Sequence, residues 1–255
     1  MKITVCELPD DREAFASEWG RLLRHAKKES TDLVLLPEVP FSNWIFAHPK
    51  FDAGVWEDAV EEHRIWMGRV PELGAGAVLG SRPVGTGTRR FNEGFAWSKD
   101  GVARSHRKRY LPDQAGYHEA RWYGRGGKRF APFEAGGWKV GFLICSDLWS
   151  MGDARSYGRQ GVGLIVVPRC TGMGTDKWLA GGRVAAVVSG AYCASSNRTG
   201  ERGAAKFGGL GWVVDPDGQV LATTSKERPF ATVEIERAAA EEAKKTYPRD
   251  SLLPG

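Results

Sequence analysis

The segment Asp32-Leu33-Val34-Leu35-Leu36-Pro37-Glu38 is a continuous apolar run that stops at a proline and leads directly to a carboxylate. Two later segments follow a similar pattern: residues 138–144 precede Cys145, and residues 162–167 precede Pro168. Short apolar runs of this kind are typical of strands that are buried on both faces, as in a parallel sheet. The three runs therefore predict an α/β fold with reactive side chains where its strands end.

The segments around these strands complete an alternating pattern. Helices are predicted over residues 11–28 and 56–70, from residue 153, and over residues 177–189 and 236–245. Further strands are predicted over residues 3–6, 76–79, 91–97, 102–105, 191–195 and 230–235, with a hairpin over residues 212–223. Because no linker or shift in composition interrupts the alternation, residues 1–255 are predicted to form one α/β domain.

The composition is that of an ordinary globular chain, with 42% hydrophobic and 26% charged residues in a length of 255. No stretch approaches the roughly 18 uncharged apolar residues of a membrane span, and Glu7 interrupts any signal-peptide core. The four cysteines stand far apart and lack the C-x-x-C spacing of a zinc site. These features predict a cytoplasmic protein with reduced thiols and no membrane association.

A basic stretch between Arg104 and Arg129 leaves a second class of function open. Its cations are interleaved with aromatic residues such as Tyr110 and Trp122, a combination that proteins use to bind single-stranded nucleic acids. The stretch has no known nucleic-acid-binding pattern, and acids elsewhere reduce the net charge to +5. A solvated face, or the wall of an anionic site, is the simpler interpretation. We therefore predict no nucleic-acid partner and keep such binding as the alternative class.

Motifs for cofactors and metals are absent from the sequence. The glycine clusters at residues 74–76 and 208–211 lack both the G-x-G-x-x-G spacing and the ending of a P-loop. The five histidines include no i,i+4 pair, and no G-x-S-x-G segment indicates a serine hydrolase. We predict neither a metal nor an organic cofactor.

Three candidate reactive residues follow predicted strands. A carboxylate at Glu38 is either solvated at the rim or held in a dry cleft, where it could act as a general base. A thiol at Cys145 could point into a cleft whose backbone N–H groups face a developing oxyanion. An ammonium at Lys108 could lower the pKa of that thiol from about 8.5 and stabilise negative charge. Cys170 also follows a strand and is the rival nucleophile, and spacing alone does not decide between the two cysteines.

The segments around these residues resemble the nitrilase superfamily, the carbon–nitrogen hydrolases. Leu-Leu-Pro-Glu at Glu38, His-Arg-Lys-Arg-Tyr at Lys108 and Ile-Cys-Ser-Asp at Cys145 are similar to the Glu-Lys-Cys triad segments of that family, in the same order. Glu119 matches the family's second glutamate. Asn197-Arg198-Thr199-Gly200, Phe207-Gly208-Gly209 and the turn at residues 215–218 extend the resemblance over nearly the whole chain.

The resemblance implies a four-layer α-β-β-α sandwich that pairs through its helical layer into a homodimer or a higher homo-oligomer. It also implies a mechanism in which Glu38 takes a proton from Cys145, and the sulfur attacks an amide or nitrile carbon. Lys108 and the N–H of Ser146 would hold the oxyanion. Glu119 would orient Lys108, and Glu38 would then activate water to hydrolyse the thioester without a cofactor.

The chain departs from the family pattern after the nucleophile. Many members have an aromatic residue directly after the cysteine and a Pro-Glu pair soon after, where this chain has Ser146 and Met151-Gly152. Asp153 is predicted to replace the missing acid as a helix N-cap. The short chain favours a small amide or N-carbamoyl substrate. The alternatives are a nitrilase, an acyltransferase with the same thioester and, more distantly, a basic nucleic-acid-binding protein with an inactive triad.

Five residues near the three candidates are predicted to bind the substrate. The tryptophans and Phe41 would form a partly apolar pocket with flat walls, and Arg169 would contact a substrate carboxylate or another polar head group. The five are Phe41, Trp44, Trp149, Arg169 and Trp178.

Overall fold

The computed structural model describes residues 1–252, apart from the side chains of residues 104, 105 and 252. Its helices are α1 (Arg12–Glu29), α2 (Ala53–Met67), α3 (Glu119–Trp122), α4 (Met151–Arg159), α5 (Thr175–Ser189), α6 (Arg237–Ala243) and α7 (Arg249–Leu252), with 3-10 helices at Ile45–Ala47, Val70–Leu73 and Cys145–Trp149. Its strands are β1 (Lys2–Pro9), β2 (Leu33–Leu35), β3 (Ala77–Thr86), β4 (Arg89–Ser98), β5 (Gly101–Arg107), β6 (Phe133–Ala135), β7 (Trp138–Phe142), β8 (Leu164–Pro168), β9 (Tyr192–Arg202), β10 (Ala205–Gly208), β11 (Trp212–Val214), β12 (Val220–Thr223) and β13 (Phe230–Glu234).

The strands form two halves that meet at β1 and β9. The order β5-β4-β3-β2-β1 makes one half, and β9-β8-β7-β6 makes the other. The amino-terminal part of β1 pairs with β2 and β13, whereas its end pairs in parallel with β9, with Glu7 opposite Asn197. In the second half, β9 also pairs with β8 and with β11 of the predicted hairpin. The two halves are therefore joined near the carboxyl end of β1.

The core lies between the two halves, as the alternation of side chains along β2 shows. Leu33 and Leu35 belong to a cluster that includes Val140 and Val166 of the other half. Val34 faces the opposite way, into a cluster that contains Trp19 of α1. A strand that is apolar at every position can fill both faces, because successive side chains alternate between them.

Helices cover the outer faces. The apolar side of α1 packs on the first half, and α4 packs on the second through Tyr157. Gly141 permits that contact, since a Cβ there would lie only 2.7 Å from the Tyr157 ring. The two sheet halves with helices on their outer faces form the predicted four-layer α-β-β-α sandwich.

The sequence missed or misplaced several local features. The short strands β6 and β10 and the helix α3 were not predicted. The prediction that Asp153 caps a helix is wrong: α4 begins at Met151 after Ser150, and the Ser150 hydroxyl donates to Asp153 Oδ2 at 2.6 Å. The proposed single domain over residues 1–255 stays a prediction, and its last three residues lie outside the described part of the chain.

Candidate active site

Glu38, Lys108 and Glu119 form a buried ionic cluster. Lys108 Nζ donates to Glu38 Oε1 at 2.7 Å and to Glu119 Oε1 and Oε2 at 2.7 and 2.8 Å. All three side chains are almost entirely removed from solvent. Glu38 follows β2, Lys108 follows β5, and Glu119 begins α3. The structure therefore brings together three of the residues that the sequence singled out.

Two further groups hold the Glu38 carboxylate. Asn92 Nδ2 donates to Oε1 at 2.7 Å, and the backbone N–H of Cys170 donates to Oε2 at 3.1 Å. Asn92 lies on β4, where it is buried beside Phe91, and its backbone oxygen accepts from Lys108 N at 2.8 Å. Sequence reasoning missed Asn92, because β4 also contains Arg89, Arg90 and Glu93, so that one more polar residue in it gives no signal.

Cys145 lies beside this cluster, at the start of a 3-10 helix. Its backbone φ of 49° is in the left-handed region, which residues other than glycine rarely adopt. Its sulfur lies 3.9 Å from the backbone oxygen of Cys170, so the peptide segment at Cys170 contacts both the thiol and Glu38. Ser146 is the next residue of the 3-10 helix, and its hydroxyl donates to the Tyr110 carbonyl. Strained backbone of this kind is concentrated at functional sites.

The environment of Cys145 favours a neutral thiol. Burial raises its pKa well above the ordinary value, Glu38 raises it further, and the opposing effect of Lys108 is smaller. Lys108 does lower the pKa of Cys145, as the sequence led us to expect, but burial and Glu38 outweigh its effect. A thiol that keeps its proton at neutral pH needs a base to remove it during attack.

The charges of the cluster explain how Lys108 and Glu119 titrate. Burial lowers the pKa of Lys108, but the facing carboxylates of Glu119 and Glu38 outweigh it and hold that pKa well above its usual value. Burial raises the pKa of Glu119 to about 8 against the lowering effect of Lys108. Two carboxylates share one ammonium in a dry site, so one of them readily takes up a proton.

Asp147 connects the segment of Lys108 to the segment of Cys145. Its Oδ1 accepts from the backbone N–H groups of Arg109 and Tyr110 at 3.1 and 2.9 Å, and its Oδ2 pairs with His106 Nε2 at 2.8 Å. The Asp147 side chain is fully buried. No local sequence pattern indicates this contact, because it joins residues more than 35 positions apart.

A cavity of about 330 Å³ opens above Cys145. Trp149 and Trp178 lie on its wall as predicted, with their ring centroids 5.0 Å apart. Its other lining residues come from two loops, the start of α3, the 3-10 helix and the start of α5: Pro112, Gln114, Tyr117, Glu119, Ser146, Cys170, Thr171, Gly172, Gly174 and Lys177. The volume is within the range of about 300–1,000 Å³ that small-molecule sites occupy.

The structure does not place Arg169, Phe41 or Trp44 in this cavity. Arg169 is fully buried, and its guanidinium donates to Ser195 Oγ, Thr171 Oγ1 and the Leu210 carbonyl. Because the side chain is fully buried, does not line the cavity and uses three of its five N–H donors inside the protein, the prediction that Arg169 contacts a substrate carboxylate needs correction.

The predictions that Phe41 and Trp44 bind the substrate also need correction, because both side chains are buried and neither lines the cavity. Phe41 is fully buried and packs with Trp19 and other aromatic residues under α1. Trp44 packs behind Tyr117, and its Nε1 donates to the Gly116 carbonyl at 2.9 Å. Neither side chain lines the cavity, and Trp44 instead packs against Tyr117, which does.

The remaining cysteines and the basic stretch have other surroundings. Cys6 and Cys193 lie in the apolar clusters, whereas Cys170 lines the cavity beside Cys145. In the basic stretch, Arg107 pairs with Glu93 and Arg121 with Asp113.

Among the described residues, no group of three or more His, Cys, Asp or Glu could hold a metal ion. No helix within residues 1–252 is long and apolar enough to cross a membrane.

Comparison with known proteins decides the family. The sequence profile described as "Carbon-nitrogen hydrolase" matches residues 2–245. The chain belongs to the carbon–nitrogen hydrolase family. The resemblance and the enzyme class predicted from the sequence are thereby confirmed.

Two curated relatives of this carbon–nitrogen hydrolase are named as amidases. It is similar to the chloroplastic omega-amidase of Arabidopsis thaliana, with 26% identity over 96% of this chain and 70% of the relative. It is also similar to the 2-oxoglutaramate amidase of Bacillus subtilis (strain 168), with 25% identity over 87% and 85% of the two chains. The solved carbon–nitrogen hydrolase of Helicobacter pylori G27 has the same fold, with a TM-score of 0.85, 21% identity and coverage of 98% and 94%.

Proposed function

We propose that this carbon–nitrogen hydrolase cleaves a small, non-peptide amide through a thioester on Cys145. The observation that carries the proposal is the position of the Cys145 thiol. It lies at the floor of a cavity and against the buried cluster of Glu38, Lys108 and Glu119. The amidase names of the two curated relatives support an amide over a nitrile as the substrate.

In the first half-reaction, Glu38 takes the thiol proton as Cys145 Sγ forms a bond to the amide carbon. The carbonyl oxygen becomes an oxyanion, which Lys108 and the N–H of Ser146 stabilise. Donors that are fixed before the reaction stabilise this charge without reorganising, and each is worth about 3 kcal/mol or more. Lys108 is held in place by three hydrogen bonds to carboxylates, which is the kind of preorganisation this role requires.

The second half-reaction returns the enzyme to its starting state. The tetrahedral intermediate breaks its C–N bond, and the proton on Glu38 passes to the departing amine, so ammonia leaves a neutral thioester behind. Glu38 then removes a proton from water, whose oxygen attacks the thioester carbon. The C–S bond breaks, the proton returns to the sulfur, and a carboxylic acid leaves the cavity.

The assembly and the compartment are further parts of the proposal. We propose that two or more copies associate through the helical layer and that the enzyme works in the cytoplasm, where its unpaired thiols stay reduced. Sedimentation velocity of the purified protein tests the first point: a species of two or more chains is expected, and a monomer at micromolar concentration contradicts it.

Ammonia release from a panel of small amides, N-carbamoyl compounds and nitriles tests the activity. We expect amides to react fastest and Cys145→Ser to lose at least a hundredfold in kcat/KM. Cys193→Ala is the matched control, because Cys193 is buried in the core away from the cavity. A higher kcat/KM for nitriles than for amides would indicate a nitrilase, and transfer of the acyl group to an added amine would indicate an acyltransferase. A Cys145→Ser variant with unchanged kcat/KM contradicts the mechanism.

A further inference from the structure

The hydroxyl of Thr171 accepts hydrogen bonds from two buried donors. Thr171 belongs to the wall of the cavity above Cys145 and is only 3% exposed. Its Oγ1 accepts from Arg169 Nη1 at 2.9 Å and from Asn197 Nδ2 at 3.1 Å. A hydroxyl oxygen has two lone pairs that accept and one hydrogen to donate. The two contacts therefore use the whole accepting capacity of this oxygen.

The directions of both hydrogen bonds are fixed by chemistry. The Arg169 guanidinium has no acceptor atom and stays protonated. The Asn197 amide has one possible orientation, because its Oδ1 accepts from the Thr171 N–H at 3.0 Å and its Nδ2 donates to the Gly209 carbonyl at 2.6 Å. Turning this amide by 180° would break both contacts. Thr171 Oγ1 is therefore the acceptor in both bonds, and its own hydrogen points elsewhere.

That hydrogen has no acceptor within the part of the chain that the structure describes, since the side-chain contacts of Thr171 there are the two it accepts. A buried donor without a partner costs free energy, which a bound molecule with an acceptor would recover. Hydrogen bonds in a chain polarise one another, so accepting from the Arg169 cation strengthens the Thr171 O–H as a donor. The cavity wall thus contains a polarised hydroxyl that needs an acceptor.

We propose that Thr171 determines specificity by donating a hydrogen bond to an uncharged oxygen, an ether or a carbonyl, in the acyl group of the substrate. The proposal rests on the amidohydrolase function proposed above and adds a requirement on the acyl group. Thr171 follows Cys170, whose backbone oxygen lies 3.9 Å from Cys145 Sγ, so the accepting oxygen lies within a few bonds of the amide carbon. An uncharged acceptor suits this place because the neighbouring cluster already holds two carboxylates for one ammonium.

Two pairs of uncharged amides test this proposal: butanamide with 2-methoxyacetamide, and pentanamide with 3-methoxypropanamide. Within each pair an ether oxygen replaces one methylene group, and dividing by the rates of alkaline hydrolysis removes the inductive effect of that oxygen. We expect the normalised kcat/KM of at least one ether amide to be about tenfold higher than that of its partner, as for one hydrogen bond to an otherwise unpaired donor. Thr171→Val should abolish this ether preference, and Thr171→Ser, which keeps the hydroxyl, should retain it.

Thr224→Val is the matched control for the loss of a buried threonine hydroxyl. Thr224 Oγ1 donates to Glu7 Oε1 and accepts from the Gly211 N–H, and Thr224 does not line the cavity, so this variant should keep the ether preference. An ether preference that survives Thr171→Val overturns the assignment of Thr171.

Equal normalised kcat/KM within both pairs for the unaltered enzyme also overturns the assignment. That comparison needs no variant, so it decides the matter even if Thr171→Val fails to fold after Arg169 and Asn197 lose their acceptor. If none of the four amides acylates Cys145, the proposed function itself fails, and the two failures are thereby distinguished.

Discussion

Lys108 Nζ lies 2.7 Å from Glu38 Oε1, with both side chains completely buried. This contact fixes the proposed base and the proposed oxyanion donor relative to each other before any substrate arrives. Because Glu119 contacts the same ammonium, the cluster carries two carboxylates for one cation. The proposed mechanism depends on this arrangement.

Removing the shared cation should damage both stability and catalysis. Lys108→Met leaves two buried carboxylates without a counter-charge, and losing one partner of a buried pair costs about 3–5 kcal/mol of unfolding free energy. Urea denaturation at pH 7.5 measures this loss. The double variant Lys108→Met with Glu119→Gln should recover part of the stability but no amidase activity. A Lys108→Met protein as stable as the original contradicts the ionic account of the cluster.

Glu38→Gln should remove the base while preserving the shape of the cluster. The amide can still accept from Lys108 but cannot take the thiol proton, and a positioned general base contributes about a hundredfold to ten-thousandfold in rate. We expect kcat for amide hydrolysis to fall by that factor with nearly unchanged circular dichroism. Since burial and Glu38 raise the pKa of Cys145, hydrolysis that survives at full rate would mean that another group removes the proton.

Asn92 should act as a positioning residue for Glu38. In Asn92→Ala the carboxylate loses a hydrogen bond of 2.7 Å and gains freedom to rotate. Steady-state kinetics should show kcat lowered about tenfold with KM almost unchanged, because Asn92 does not line the cavity. Equal losses in a substrate-binding assay and in kcat would instead indicate a collapsed site.

His63 should make the stability depend on pH. Its ring is buried, contacts the Ala59 carbonyl through Nδ1 and accepts from the Phe41 N–H, and burial lowers its pKa from 6.5 to about 3. Between these values the unfolded chain binds more protons. The stability that neutral His63 contributes is therefore present above pH 6.5 and is lost as the pH falls toward 3, by up to ~1.4 kcal/mol per pH unit. Urea melts at pH 7 and pH 5 should show a smaller difference for His63→Gln than for the original, and an identical difference contradicts this prediction.

Much of the fold and the triad could be predicted because both are encoded locally. Apolar runs identify buried strands, and Glu38 and Cys145 follow such runs directly. The alternation of these runs with amphipathic helices indicates the α/β class before any pairing is known. Short strands such as β6 and β10 escape this reasoning, since three or four residues carry too little periodicity.

The rest of the site depends on contacts between distant segments. Asn92 reaches Glu38 only because β4 pairs between β3 and β5 and places its buried face at the end of β2. Arg169 follows a strand as a substrate-binding residue would, yet Ser195 and Leu210 from later segments use its donors. The place of Lys177 in the cavity wall also gives no local signal, because a lysine in the first turn of a helix is usually only a solvated surface residue.

Mass spectrometry of the protein mixed with a small amide tests the central claim most directly. The account predicts an increase in mass equal to the acyl group, mapped to the peptide that contains Cys145 and absent from Cys145→Ala. Cys170 lines the same cavity and is an internal comparison within the same sample. An acyl group found on Cys170, or one that persists in Cys145→Ala, would contradict the assignment of Cys145 as the nucleophile.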